Sequence, residues 1–128
     1  MDEQQKNKTI LIVEDEAALR GALSDKFKRA GFSVLEARNG EEGLEVATRE
    51  HPDLILLDVM MPVMSGMAML KQLREDAWGK SARVIILTNL NDAEYVAEAM
   101  KQESYDYFIK SDWKIEDLVA KVREKLEK

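Results

Sequence analysis

The sequence predicts an α/β fold in which a parallel sheet is covered by helices on both faces. Five short apolar runs, at 9–13, 33–37, 54–57, 83–87 and 107–109, alternate with longer segments of helical period. Strict alternation of this kind is the pattern of α/β domains built on a parallel sheet. Three stretches, 10–13, 54–57 and 84–87, are apolar without interruption, as strands buried on both faces are. Right-handed crossovers then distribute the helices over both faces. The runs alone do not fix the strand order, of which the flavodoxin-like 2-1-3-4-5 is one of two common doubly wound solutions.

Each helical segment carries its own start or stop signal. Leu19, Ala22, Leu23 and Phe27 form the apolar stripe of the first, and Gly31 is placed to end it. Asn39, with Glu42 three residues on, caps the second, which turns Leu44 and Ala47 inward. Ser65 caps a third, with Met69, Leu70 and Leu73 on its buried side. Asn91 with Glu94 caps a fourth, carrying Val96, Ala97 and Met100. The last shows the clearest stripe: Ile115, Leu118, Val119, Val122 and Leu126.

Composition limits the function classes. At 128 residues the chain falls below the roughly 150 of an average domain, so one domain is expected. Nineteen basic against 25 acidic side chains leave a net charge of −6, which disfavours direct nucleic-acid binding. There is no cysteine, so disulfides, thiolate metal sites and cysteine nucleophiles are excluded. No apolar run approaches the roughly 20 residues needed to span a bilayer. A soluble, cytoplasmic protein without membrane insertion is the expectation.

Ligands of such sheets sit beyond the carboxyl ends of the strands, so the residues that follow each run are the ones to read. Glu14 and Asp15 follow the first, Asp58 the third, Thr88 the fourth and Lys110 the fifth. Taken singly, each is an ordinary solvated loop residue. Taken together, three carboxylates at one end of neighbouring strands repel, by roughly 4 kcal/mol per pair at ~4 Å and an effective dielectric near 20. One lysine does not offset three acids, whereas a divalent cation with hard oxygen ligands does, and Mg2+ suits them. Phosphoryl transfer needs in-line positioning and neutralised oxygens. Mg2+, the Lys110 ammonium and the Thr88 hydroxyl supply that neutralisation, and Asp58, ending the most buried-looking strand, is the expected nucleophile. Glu14 and Asp15 are then metal ligands.

These residues resemble the receiver domain of two-component response regulators, in a stand-alone, chemotaxis-regulator-like form. The resemblance rests on Glu14-Asp15, Asp58 within Leu56-Leu57-Asp58-Val59-Met60-Met61-Pro62, Gly66, Thr88 after Ile85-Ile86-Leu87, and Lys110 preceded by Tyr107. It implies a flavodoxin-like (βα)5 fold with a five-stranded parallel sheet in the order 2-1-3-4-5. By extent it divides the chain into a flexible tail at 1–8 and a receiver domain at 9–128. It further implies that Asp58 accepts a phosphoryl group from the phosphohistidine of a sensor histidine kinase or phosphotransfer protein. Mg2+ is then held by Asp15, Asp58, the Met60 backbone carbonyl and, through water, Glu14. Thr88 and Tyr107 are the implied switch residues. The surface of the fourth helix, fifth strand and fifth helix is where an output partner docks, and the protein is a monomer or weak homodimer that turns over no external substrate.

Three positions depart from the family pattern. Ser111 stands where proline usually follows the lysine, which leaves the geometry of the Lys110–Ser111 peptide open. Asn89 replaces the usual small residue after the threonine, and Glu103-Ser104 replaces a Gly-Ala pair. None removes a group with a chemical role. Two alternatives have their own marks. A Mg2+-dependent phosphohydrolase needs a second aspartate two positions after the first, where Met60 stands. A phosphate-independent receiver-like interaction domain is marked by loss of an acid, the threonine or the lysine, and all are present. His51, the single histidine, is expected at the surface. Gly40-Glu41-Glu42-Gly43 reads as a helix start, without the glycine spacing and lysine of a phosphate loop.

Overall fold

A computed structural model describes residues 8–58, 61, 63–88, 106–109 and 114–127. Along these residues run β1 (Thr9–Val13), α1 (Ala17–Arg29), β2 (Ser33–Ala37), α2 (Gly40–Glu50), β3 (Leu54–Asp58), α3 (Gly66–Glu75), a 3-10 turn at Gly79–Ser81, β4 (Val84–Thr88), β5 (Asp106–Ile109) and α4 (Ile115–Glu127). The strands make one parallel sheet in the order β2-β1-β3-β4-β5. The helix expected to start at Asn91 lies outside the described residues, as do Asn89, Glu103-Ser104, Ser111 and residues 1–7 of the expected tail. Lys8, placed in that tail by sequence, already lends its carbonyl to the Ser33 amide at 2.9 Å.

The uninterrupted apolar runs are the central strands, and every residue of β3 is buried. Because side chains alternate along a strand, each strand feeds two cores. Leu11, Val13, Ile55, Leu57, Val84 and Ile86 point to one face, where Ala47, Met69, Leu70 and Leu73 cover them from α2 and α3. Ile10, Ile12, Leu54, Leu56, Ile85 and Leu87 point to the other, beneath Leu23 and Phe27 of α1 and Leu118, Val119 and Val122 of α4.

Local signals end the helices as the sequence indicates. Gly31 takes φ 103° just past α1. The Phe32 amide donates to the Phe27 carbonyl at 3.0 Å and the Gly31 amide to the Lys28 carbonyl at 3.1 Å, the bonding of a Schellman stop. Phe32 then packs edge-on against Phe27 with ring centroids 5.7 Å apart. Asn39 Oδ1 accepts from the Glu42 amide at 2.8 Å, and Ser65 Oγ from the Ala68 amide at 3.2 Å. Glu42 reaches back one residue further than in a capping box, accepting from the Arg38 amide at 3.2 Å. Among the described residues, no helix is long and apolar enough to cross a membrane.

Candidate functional site

Register brings the acids together. Val13 pairs with Leu57, so Glu14 and Asp58 each come one step later, at the carboxyl edge of two adjacent strands. Glu14, Asp15 and Asp58 each offer a carboxylate oxygen lying within 4.8 Å of the others. Glu14 is 0% and Asp58 4% exposed, whereas Asp15 faces solvent.

Burial of charge is costly unless it is matched by hydrogen bonds or counter-charge. Part of the match is local. Glu14 Oε2 accepts from the Glu16 amide at 3.3 Å, and the Glu14 amide itself donates to the Ala37 carbonyl at 3.1 Å. Mutual repulsion of three carboxylates remains, about 3–4 kcal/mol per pair at this spacing if the effective dielectric is near 20. The donor set consists of hard oxygens, two of them on buried side chains. It fits a hard divalent cation that keeps several waters, and Mg2+ is such a cation.

The remaining sequence-predicted residues are placed only in part. Thr88 ends β4, beside Ile109 of β5, and Tyr107 lies level with Ile86. The carboxyl edge that carries Asp58 therefore continues through Thr88 to the end of β5. Lys110, the next residue, and Met60 lie outside the described residues.

One half-buried contributor escapes sequence reasoning. Arg20, on the first turns of α1, donates from Nη1 to the Glu14 carbonyl at 2.9 Å and pairs through Nε with Glu36 Oε1 at 3.4 Å. Ser24 Oγ lies 3.4 Å from the other Glu36 oxygen. Arg20 thus ties the end of β1, where Glu14 and Asp15 sit, to the edge strand β2. Its position five residues after Asp15 is the one available signal, and that spacing says nothing of a backbone partner.

A family model for the response regulator receiver domain matches residues 10–123. The chain belongs to that family. Sporulation initiation phosphotransferase F of Bacillus subtilis strain 168 is 34% identical over 104 residues, covering 81% of this chain and 82% of that protein. The probable transcriptional regulator ycf27 of Porphyridium aerugineum is 34% identical over 119 residues, which are 93% of this chain and 48% of the relative. The chain thus spans about half the length of that regulator. Among solved structures, the Francisella response regulator 1452 receiver domain superposes with a TM-score of 0.83 at 30% identity, covering 94% of this chain and 98% of that one. Vibrio cholerae chemotaxis protein CheY4 gives 0.82 at 27% identity, with 91% and 97% covered. The fold is the flavodoxin-like receiver fold, and receiver domains are signalling modules that partner histidine kinases or phosphotransfer proteins.

Proposed function

We propose that this receiver domain is a phosphorylation-activated signalling module whose acceptor is Asp58. The observation that carries the reading is the convergence of Glu14, Asp15 and Asp58 at one strand edge, with Asp58 4% exposed at the end of β3. A carboxylate so placed has few conformations to lose before an in-line attack. One Asp58 oxygen forms a bond to phosphorus while the bond from phosphorus to the donor imidazole nitrogen breaks, and the imidazole leaves with the electron pair. The donor is a phosphohistidine on a sensor histidine kinase or a phosphotransfer protein.

Asp15, Asp58, the Met60 carbonyl and, through water, Glu14 would hold Mg2+, which would supply charge neutralisation for the attacking carboxylate and the transferring group. Lys110 and Thr88 contact the phosphoryl oxygens in this reading. Phosphorylation adds charge and acceptor oxygens at the end of β3. Thr88 and Tyr107, on adjoining strands, carry that change to the surface made by the segment after β4, by β5 and by α4, where an output partner docks. The module acts in the cytoplasm and turns over no external substrate.

The test is intact-mass measurement after incubation with Mg2+ and a phosphodonor, on the wild type and on Asp58→Asn. One added phosphate in the wild type alone is the expected outcome. No addition with any donor, including a phosphorylated phosphotransfer protein, leaves a phosphate-independent interaction domain in its place.

A further inference from the structure

The turn into α2 and the connection that follows Asp58 are fastened to each other through backbone atoms. The Gly40 amide donates to the Met64 carbonyl at 3.1 Å. A Cβ at Gly40 would lie 2.4 Å from that same oxygen, and 3.0 Å from both the carbonyl carbon and the Cβ of Met64. Gly31 is the glycine with positive φ, so conformational freedom is not what Gly40 provides. Glycine is required there for closeness of approach. The obstructing atoms include the Met64 peptide, which no rotamer change can move aside.

Both partners of this contact are themselves constrained. Gly40 opens a helix whose start is fixed by the Asn39 cap at 2.8 Å and whose next turn is pressed onto β1. A Cβ at Gly43 would meet both Val13 methyls at 2.9 Å. On the other side, Val63, the neighbour of Met64, has φ 69°. A β-branched residue in the left-handed region is strained and persists only where its surroundings over-determine the backbone. Burial does not compensate, because Val63 is 75% exposed. The hydrogen bond one residue away, into Met64, is a restraint of the kind required.

We infer that Gly40 is a positioning residue for the cation and phosphoryl site: by seating the Met64 carbonyl, it fixes the backbone at Val63 and Met64, between Asp58 and α3 in the chain, in a conformation that these residues would not hold by themselves. The inference rests on the reading of Asp58 as the Mg2+-assisted acceptor and names what sets the loop beside it. The effect of Gly40 is exerted at Val63 and Met64, which follow Asp58 in the chain, as outer contacts commonly orient metal ligands.

The experiment is an NMR titration with Mg2+ of the wild type, Gly40→Ala and Gly79→Ala, with thermal melts of each. Gly79→Ala is the control for destabilisation alone, since a Cβ there meets the Leu73 carbonyl oxygen at 2.0 Å on the α3–β4 connection, away from the site. Gly40→Ala should weaken Mg2+ binding about tenfold, while Gly79→Ala lowers the melting temperature and leaves the affinity unchanged. In the wild type, the Gly40 amide resonance should shift with the midpoint of the overall titration and that of Gly79 should not, a readout that holds even if Gly40→Ala fails to fold. Wild-type binding with unaltered affinity in Gly40→Ala, or with a Gly40 amide indifferent to Mg2+, overturns the positioning role alone. A wild type that shows no Mg2+-dependent shift overturns the acceptor reading, and the positioning role with it.

Discussion

The central strand β3 has an aspartate at each end, and the two behave in opposite ways. Asp53, at the entry, accepts from the Thr9 amide at 2.7 Å, and its own amide donates to the Thr9 carbonyl at 2.8 Å. It serves as a register pin between β1 and β3. Asp58, at the exit, shares its surroundings with two other carboxylates. The same contrast runs across the molecule. The amino-end connections satisfy their polar groups with the backbone: Asp76 accepts from the Gly79 amide at 2.9 Å, and Arg74 donates to the Ala82 carbonyl at 2.9 Å. The carboxyl end gathers like charges and holds Val63 in a costly backbone conformation. Each end holds one non-glycine residue at positive φ, His51 at 50° and Val63 at 69°, so like-charge repulsion is what distinguishes the end where the proposed chemistry lies.

The sharpest contrast between the two ends is expected from Asp58→Asn. In metal-free buffer this variant should be more stable than the wild type by at least about 1 kcal/mol, since it removes one of three mutually repelling charges. Added Mg2+ should shrink the difference, because the cation binds the folded wild type and stabilises it by mass action. Denaturant melts with and without Mg2+ measure both. Asp53→Ala should do the reverse, destabilising by about 1–3 kcal/mol through the unpaired Thr9 amide. Its capacity to take up a phosphoryl group should remain intact, read by the same mass measurement. An Asp53→Ala protein with normal stability would show that the register is pinned elsewhere.

The smallest effect lies on the exposed seam between α1 and α4, where Lys26 Nζ stands 3.3 Å from Glu116 Oε1. A backbone hydrogen bond at the start of α4, followed by the hydrogen bond and charge of Lys26, holds the Glu116 carboxyl below its ordinary 4.5. A carboxyl lowered on folding adds stability above its unfolded pKa and loses it as pH falls through the folded value. Glu116→Gln should therefore cost a little stability at neutral pH. The gap should close as acid carries the solution below 4.5 and narrow in high salt. A gap that persists at low pH assigns the effect to packing.

What was legible in the sequence was what rests on periodicity or on short-range hydrogen bonds. The apolar run at 54–57 marked β3, the stripe through Leu118, Val119 and Val122 marked α4, and Asn39 and Ser65 marked helix starts that their side chains do cap. The three carboxylates were legible because a parallel sheet must place strand ends side by side. Contacts whose partner is a backbone atom on another element were not. Arg20 on the Glu14 carbonyl and Gly40 on the Met64 carbonyl are of this kind, and no residue type encodes a carbonyl's location. His51 was expected at the surface and is exposed, yet its ring stacks on Trp78 at a centroid distance of 4.5 Å and an interplanar angle of 7°. That pairing joins two loops separated by β3 and α3. Val63 is harder still, since nothing about valine foretells φ 69°.

The most direct test of the central claim is to locate the modification. Borohydride reduction converts an aspartyl phosphate to homoserine, and peptide mass spectrometry then reports its position. After phosphorylation in the presence of Mg2+, homoserine should appear at position 58 and nowhere else, and should be absent when the cation is chelated beforehand. Homoserine at another aspartate, or an equal yield without Mg2+, would contradict the account.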